Sequence, residues 1–148
     1  VDLKSLSGGT GTLKQNDRLV MMLKVETRET GGRILVVDRL PAGLEIENPR
    51  IVDGGDIKSL AWLKTTVKPE HTEFRDDRFV AAFNFFGRAS EEEGERKDAA
   101  SQATVAYIVR AVTPGTFVHP AATVEDMYRP ERHARSAAGK LVVEAAGK

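Results

Sequence analysis

The chain of 148 residues contains no cysteine, which excludes disulfides, thiolate metal sites and a cysteine nucleophile. That absence assigns no compartment, because cytosolic and periplasmic proteins alike can do without the residue. An excess of one charge is missing too. Lysine plus arginine and aspartate plus glutamate stand at 22 each, so no long-range field favours DNA, RNA or an anionic lipid surface. No apolar run approaches the roughly 20 residues of a membrane-spanning helix, and no direct membrane contact is expected. Aromatic residues are sparse, with six Phe, two Tyr and one Trp. The chain opens at Val1 with neither a methionine nor a signal-peptide pattern, and therefore reads as a piece of something longer.

What is present describes one globular domain. Hydrophobic residues make up 41% and charged residues 30%, ordinary proportions for a chain with a core of its own. The punctuation is that of an all-β protein. Leu19, Met21, Leu23 and Val25 alternate along one face of a prospective strand over 19–26, a period of two. Gly31-Gly32 signals a turn before the β-branched run Ile34–Val37, so a hairpin joining these two runs is expected. Phe79, Ala81, Phe83 and Phe85 share one face of the next strong strand, and Val105, Tyr107, Val109 and Ala111 share one face of another. These two are expected to pair as central antiparallel neighbours.

Leu141–Glu144 supplies a last strand, and the charged stretch 88–98 reads as a long loop. Residues 57–63 give at most one short helix, with Asp56 as its cap. The fold expected is a two-sheet antiparallel β-sandwich over residues 17–148, of macroglobulin or fibronectin type. Residues 1–16, rich in glycine and serine, are expected to form a connecting segment.

Candidate chemistry is thin. Gly8–Thr12 is glycine-rich but lacks the Gly-Lys-Ser/Thr ending of a phosphate loop. His71, His119 and His133 lie far apart, without the dense spacing of zinc ligands, so no metal or cofactor is expected. Ser59, Ser101 and Ser136 have no activating context. Asp76-Asp77-Arg78 can do acid–base work only in a cleft, and a turn held by an aspartate–arginine hydrogen bond is the simpler reading. No catalytic residue is assigned, and the chain is not expected to be an enzyme. Tyr128 stands apart in Val124–Pro130, a short polar segment bounded by Pro120 and Pro130. Pro130 confines Arg129 to extended geometry, so the tyrosine sits on stiff chain. From the residues alone it is either a half-buried packing group or an interface anchor.

Four segments carry a family resemblance: Leu40–Pro49, Phe74–Phe83, Ala106–Phe117 and Glu125–Pro130. Between about Asp17 and Val143 the chain resembles the C-terminal macroglobulin-like domain of bacterial alpha-2-macroglobulins. That resemblance implies a module of a periplasmic, broad-spectrum protease inhibitor, and leaves open a lipoprotein anchor for the parent at the inner membrane. It implies that Tyr128, supported by Met127, Arg129 and Glu125, shields a reactive thioester until a protease cuts the parent's bait region. The thioester motif, Cys-x-Glu-Gln, belongs to an upstream domain of the same polypeptide and is absent here. The implied partners are that domain and, through the whole protein, the target proteases. An adhesion or carbohydrate-binding sandwich is the alternative, since a sandwich does not fix function.

Overall fold

A computed structural model describes residues 3–4, 11–27, 32–47, 69–85 and 101–147. Their regular structure is entirely β-strand, and there is no helix among the described residues. The first sheet orders its strands as β1 (Leu3–Lys4), β3 (Arg18–Thr27), β8 (Ser101–Ala111) and β5 (Leu44–Ile46). The second runs β11 (His133–Arg135), β10 (Thr123–Asp126), β4 (Arg33–Arg39), β7 (Arg78–Asn84) and β6 (His71–Phe74). A third, smaller sheet holds β2 (Gly11–Lys14), β12 (Gly139–Glu144) and β9 (Gly115–His119). Pairing is antiparallel throughout except for β1 on β3 and β2 on β12, which are parallel.

The core forms where alternation puts apolar side chains on facing sheets. On β7, Phe79, Ala81 and Phe83 are buried, as is Phe85 just beyond it; on β8, Val105, Tyr107, Val109 and Ala111 are. The Phe79 and Tyr107 rings stack with centroids 4.6 Å apart. Each buried aromatic or large aliphatic side chain contributes about 1.5–3 kcal/mol relative to exposure. Leu19 and Val25 of β3, Ile34 and Val36 of β4, and Leu141 and Val143 of β12 belong to the same cluster.

Faces are therefore as the alternation predicts, but partners are not. The expected hairpin between 19–26 and 34–37 does not form. Strand β3 pairs with β8, from Arg18↔Arg110 to Thr27↔Ser101, while β4 pairs with β7 and β10 in the other sheet. Nor are β7 and β8 neighbours. They lie in opposite sheets and meet ring to ring across the core. Two strands with one strongly apolar face each bury more apolar surface face to face than edge to edge. Besides the two large sheets there is the third, and Gly11–Lys14, within the stretch expected as a connector, forms its β2 strand. Leu13 there is buried in the core. Asn16, with φ 76°, makes the tight turn into β3, a left-handed conformation that asparagine tolerates. The helix expected over 57–63 and the loop expected over 88–98 lie outside the described residues.

Candidate functional site

Strand β10 lies between β11 and β4, so Thr123–Asp126 is an interior strand despite its polar residues. Its polar residues are accommodated because Glu125 is exposed and Asp126 is fully bonded. Beyond Asp126 the chain leaves the sheet. Met127 is 50% exposed and Tyr128 68% exposed. Tyr128 is thus no packing residue in this fold. The loop is nonetheless tightly tied. Met127 N–H donates to the Arg33 carbonyl at 2.8 Å, and Asp126 N–H to the Arg132 carbonyl at 2.9 Å. Arg129 N–H reaches the Asp126 carbonyl at 3.2 Å, and Arg132 N–H the Arg129 carbonyl at 2.9 Å, two consecutive turns with Pro130 at the second position of the latter.

The Asp126 side chain, 1% exposed, organises this loop. Its Oδ1 accepts the Tyr128 N–H at 3.0 Å and the Arg129 N–H at 3.2 Å, as aspartates do when they nucleate turns. Its Oδ2 accepts Arg129 Nε at 3.1 Å and Arg132 Nη1 at 3.2 Å. Arg132 Nη2 continues to Thr27 Oγ1, at 2.9 Å, on the last residue of β3. The Tyr128 backbone N–H is the largest influence holding the Asp126 carboxyl below its ordinary 3.8. Burial opposes it, and the Arg129 amide and guanidinium reinforce it. The group stays ionised because every bond it makes favours the charged form.

Of the four residues singled out in the sequence, the structure gathers Met127, Tyr128 and Arg129 on this one loop, with Glu125 at its entry. Arg129 turns back onto Asp126 as a support. Glu125 makes no hydrogen bond or ion pair with another described side chain, and lines a groove of about 260 Å³ walled also by Val25, Ile34, Val124 and Arg132. The residue that sequence reasoning missed is Asp126. An aspartate two residues before an exposed tyrosine, with arginines three and six residues on, was the available signal.

The other candidates resolve as structure. Arg78 Nε donates to Asp77 Oδ1 at 3.1 Å, and the Arg78 bond lowers the pKa of the exposed Asp77 carboxyl. Its backbone carbonyl accepts Leu40 N–H, as a turn residue's would. Arg75 pairs with Glu73. Ser136 Oγ accepts the Ala122 N–H at 2.9 Å. Among the described residues no cluster of three His, Asp or Glu side chains is placed to hold a metal. One buried polar pair was not anticipated: Tyr107 Oη donates to Asp38 Oδ2 at 2.5 Å across the sandwich. Burial pushes the Asp38 carboxyl above 3.8, against the Tyr107 bond and the charge of His119. Burial likewise drives the Tyr107 phenol far above its ordinary 10.0, with Asp38 adding to it.

Comparison with known proteins follows the same lines. Alpha-2-macroglobulin of Escherichia coli is 36% identical over 140 residues, which cover 89% of this chain and 8% of that protein. The structure of E. coli alpha-2-macroglobulin activated by porcine elastase superposes with a TM-score of 0.71 at 36% identity, over 95% of this chain and 12% of the other. Salmonella alpha-2-macroglobulin reacted with methylamine gives 0.68 at 36% identity, over 89% and 8%. The chain thus spans less than an eighth of the length of these relatives. Residues 2–131 match the family described as the bacterial alpha-2-macroglobulin MG10 domain, and with that agreement in sequence and fold this chain belongs to it.

Proposed function

We propose that this domain covers the thioester of a neighbouring domain in a periplasmic, protease-trapping alpha-2-macroglobulin, with Tyr128 as the covering group. One observation carries the reading. A tyrosine ring 68% exposed sits on a backbone pinned by an aspartate 1% exposed. Exposed aromatics that pack on nothing in their own domain suit an interface, because a flat ring gives contact area while few torsions need fixing. Met127 beside it, half exposed, extends the same apolar patch, and its flexible thioether adapts to an irregular partner.

The chemistry to be restrained is acyl transfer. A nucleophile attacks the thioester carbonyl carbon, the carbon–sulfur bond breaks, and the sulfur leaves as a thiolate that takes up a proton. Water does this wastefully; a trapped protease's amine does it usefully. A ring laid over the bond excludes water, and an interface of modest area opens when a neighbour moves. That one relative was solved after reaction with methylamine and another after activation by elastase supports this reading. An adhesive or carbohydrate-binding role has less behind it, since Tyr128 is the one strongly exposed aromatic among the described residues.

The test is Tyr128→Ala in the full-length protein, with thiol release by methylamine followed before and after protease cleavage. Faster release before cleavage, with the fold intact, is expected. Release at the wild-type rate would remove Tyr128 as the cover.

A further inference from the structure

The Tyr128 loop raises a mechanical question: what keeps an exposed ring in one place? Apolar packing does not, because Met127 and Tyr128 both face outward and a groove of about 260 Å³ lies alongside β10. The polar network is what remains. Asp126 holds the Tyr128 and Arg129 amides on one oxygen and two guanidinium groups on the other. Arg132 then crosses to Thr27, so a loop rooted in the second sheet is fastened to the first. The backbone leaves room for the carboxylate. A Cβ on Gly32, whose φ is +129°, would stand 3.0 Å from Asp126 Oδ2, so a side chain there would press on the hub.

From this geometry we infer that Asp126 is the positioning residue of the cover, acting with Arg132 and Thr27 as a latch that holds Tyr128 ready for its partner. The inference rests on the shielding reading of Tyr128 and adds what sets the ring's position. Charge-assisted bonds at a buried carboxylate are about twice as strong as neutral ones, and a loop preordered by them reaches its bound geometry without a further ordering cost. Loss of the carboxylate frees the loop while leaving the core strands, whose apolar contacts lie elsewhere, in place.

The experiment compares Asp126→Ala, Asp126→Asn, Arg132→Gln, Tyr128→Ala and the double variant Asp126→Ala/Tyr128→Ala in the full-length protein. Methylamine-driven thiol release before proteolysis is the readout, and circular dichroism and thermal melting monitor the fold. Asp126→Ala should raise release about tenfold, as when an open minor state grows from about 1% to about 10% of molecules. Asp126→Asn keeps an acceptor for the two amides and should fall between Asp126→Ala and wild type. The double variant should release no faster than Tyr128→Ala alone, since both act through one ring. If Tyr128→Ala is fast while folded Asp126→Ala and Arg132→Gln match wild type, the latch is overturned and the cover survives. Additive effects in the double variant would also overturn it, by placing Asp126 on a separate route. Wild-type rates in every variant would overturn cover and latch together. Should Asp126→Ala fail to fold, Asp126→Asn and Arg132→Gln decide the matter by the same criteria.

Discussion

Asp38 and Asp126 sit on strands of the same sheet, β4 and β10, paired with one another in register from Thr123↔Val37 to Asp126↔Ile34. Both are almost fully buried, at 2% and 1% exposure. Yet burial raises the pKa of one, while the bonds of the other lower it. The difference lies in the donors. Asp38 accepts the Tyr107 hydroxyl and feels the charge of His119, which together do not offset the loss of water around a charge. Asp126 has two amides and two guanidinium groups, and the charge is retained. Depth of burial therefore says little about protonation until partners are counted. The two aspartates also serve different ends: Asp38 joins sheet to sheet inside the core, whereas Asp126 holds an outward loop still.

The largest effect expected from disturbing this comparison comes at the inner site. Tyr107→Ala removes a ring stacked on Phe79 and strands Asp38, and should cost about 3–5 kcal/mol in urea unfolding. Tyr107→Phe keeps the ring and deletes only the hydroxyl, so a loss of about 1–3 kcal/mol isolates the unsatisfied carboxyl. A loss near that of alanine would mean that the hydroxyl, not the ring, dominates.

Acid titration of stability should separate the two carboxyls by sign. Asp38 has a folded pKa above 3.8, so its contribution is full below 3.8 and fades as pH rises through the folded value. Asp126 has a folded pKa below 3.8, so its contribution is full above 3.8 and fades as pH falls through the folded value. Unfolding midpoints of Asp38→Asn and Asp126→Asn against wild type, measured across acid pH, should show the two gaps closing in opposite directions. Gaps that close in the same direction would refute the assignment of partners. The smallest effect belongs to Tyr128→Ala, expected to change stability by no more than about 0.5 kcal/mol, as exposed positions do. A larger loss would return Tyr128 to the core.

These outcomes bear on what a sequence of this kind discloses. The inward faces were legible: the alternation at Phe79–Phe85 and Val105–Ala111 identified core residues, and Leu141–Glu144 identified the last strand. Strand partners were not, because alternation reports which way a side chain points and is silent on which edge pairs with which. Hence β3 and β4, adjacent in sequence, read as a hairpin and yet fold into different sheets. The Asp38–Tyr107 bond was within reach. Continuing Ile34 and Val36 by two places puts Asp38 on the inward face, and Tyr107 lies on the inward face of β8. The β-branched run Ile34–Val37 stops one residue short of Asp38, which opens the segment Asp38-Arg39-Leu40-Pro41. Asp126 is harder to find because half of its bonds go to backbone amides, which every residue possesses, and only the arginines three and six residues on mark it in the sequence.

The parallel pairing of β2 with β12, Gly11↔Leu141 to Lys14↔Glu144, bears on how the domain answers force. Tension applied ahead of β2 and behind β12 draws the two strands past one another along their length. Their four residue pairs are then loaded in shear and must yield together, where a hairpin pulled from its open end would unzip one bond at a time. Leu13, Leu141 and Val143, all buried, add their apolar contacts to the same resistance. A pull that enters at these two strands is thus borne first by their paired length, ahead of the facing sheets and the Tyr128 loop.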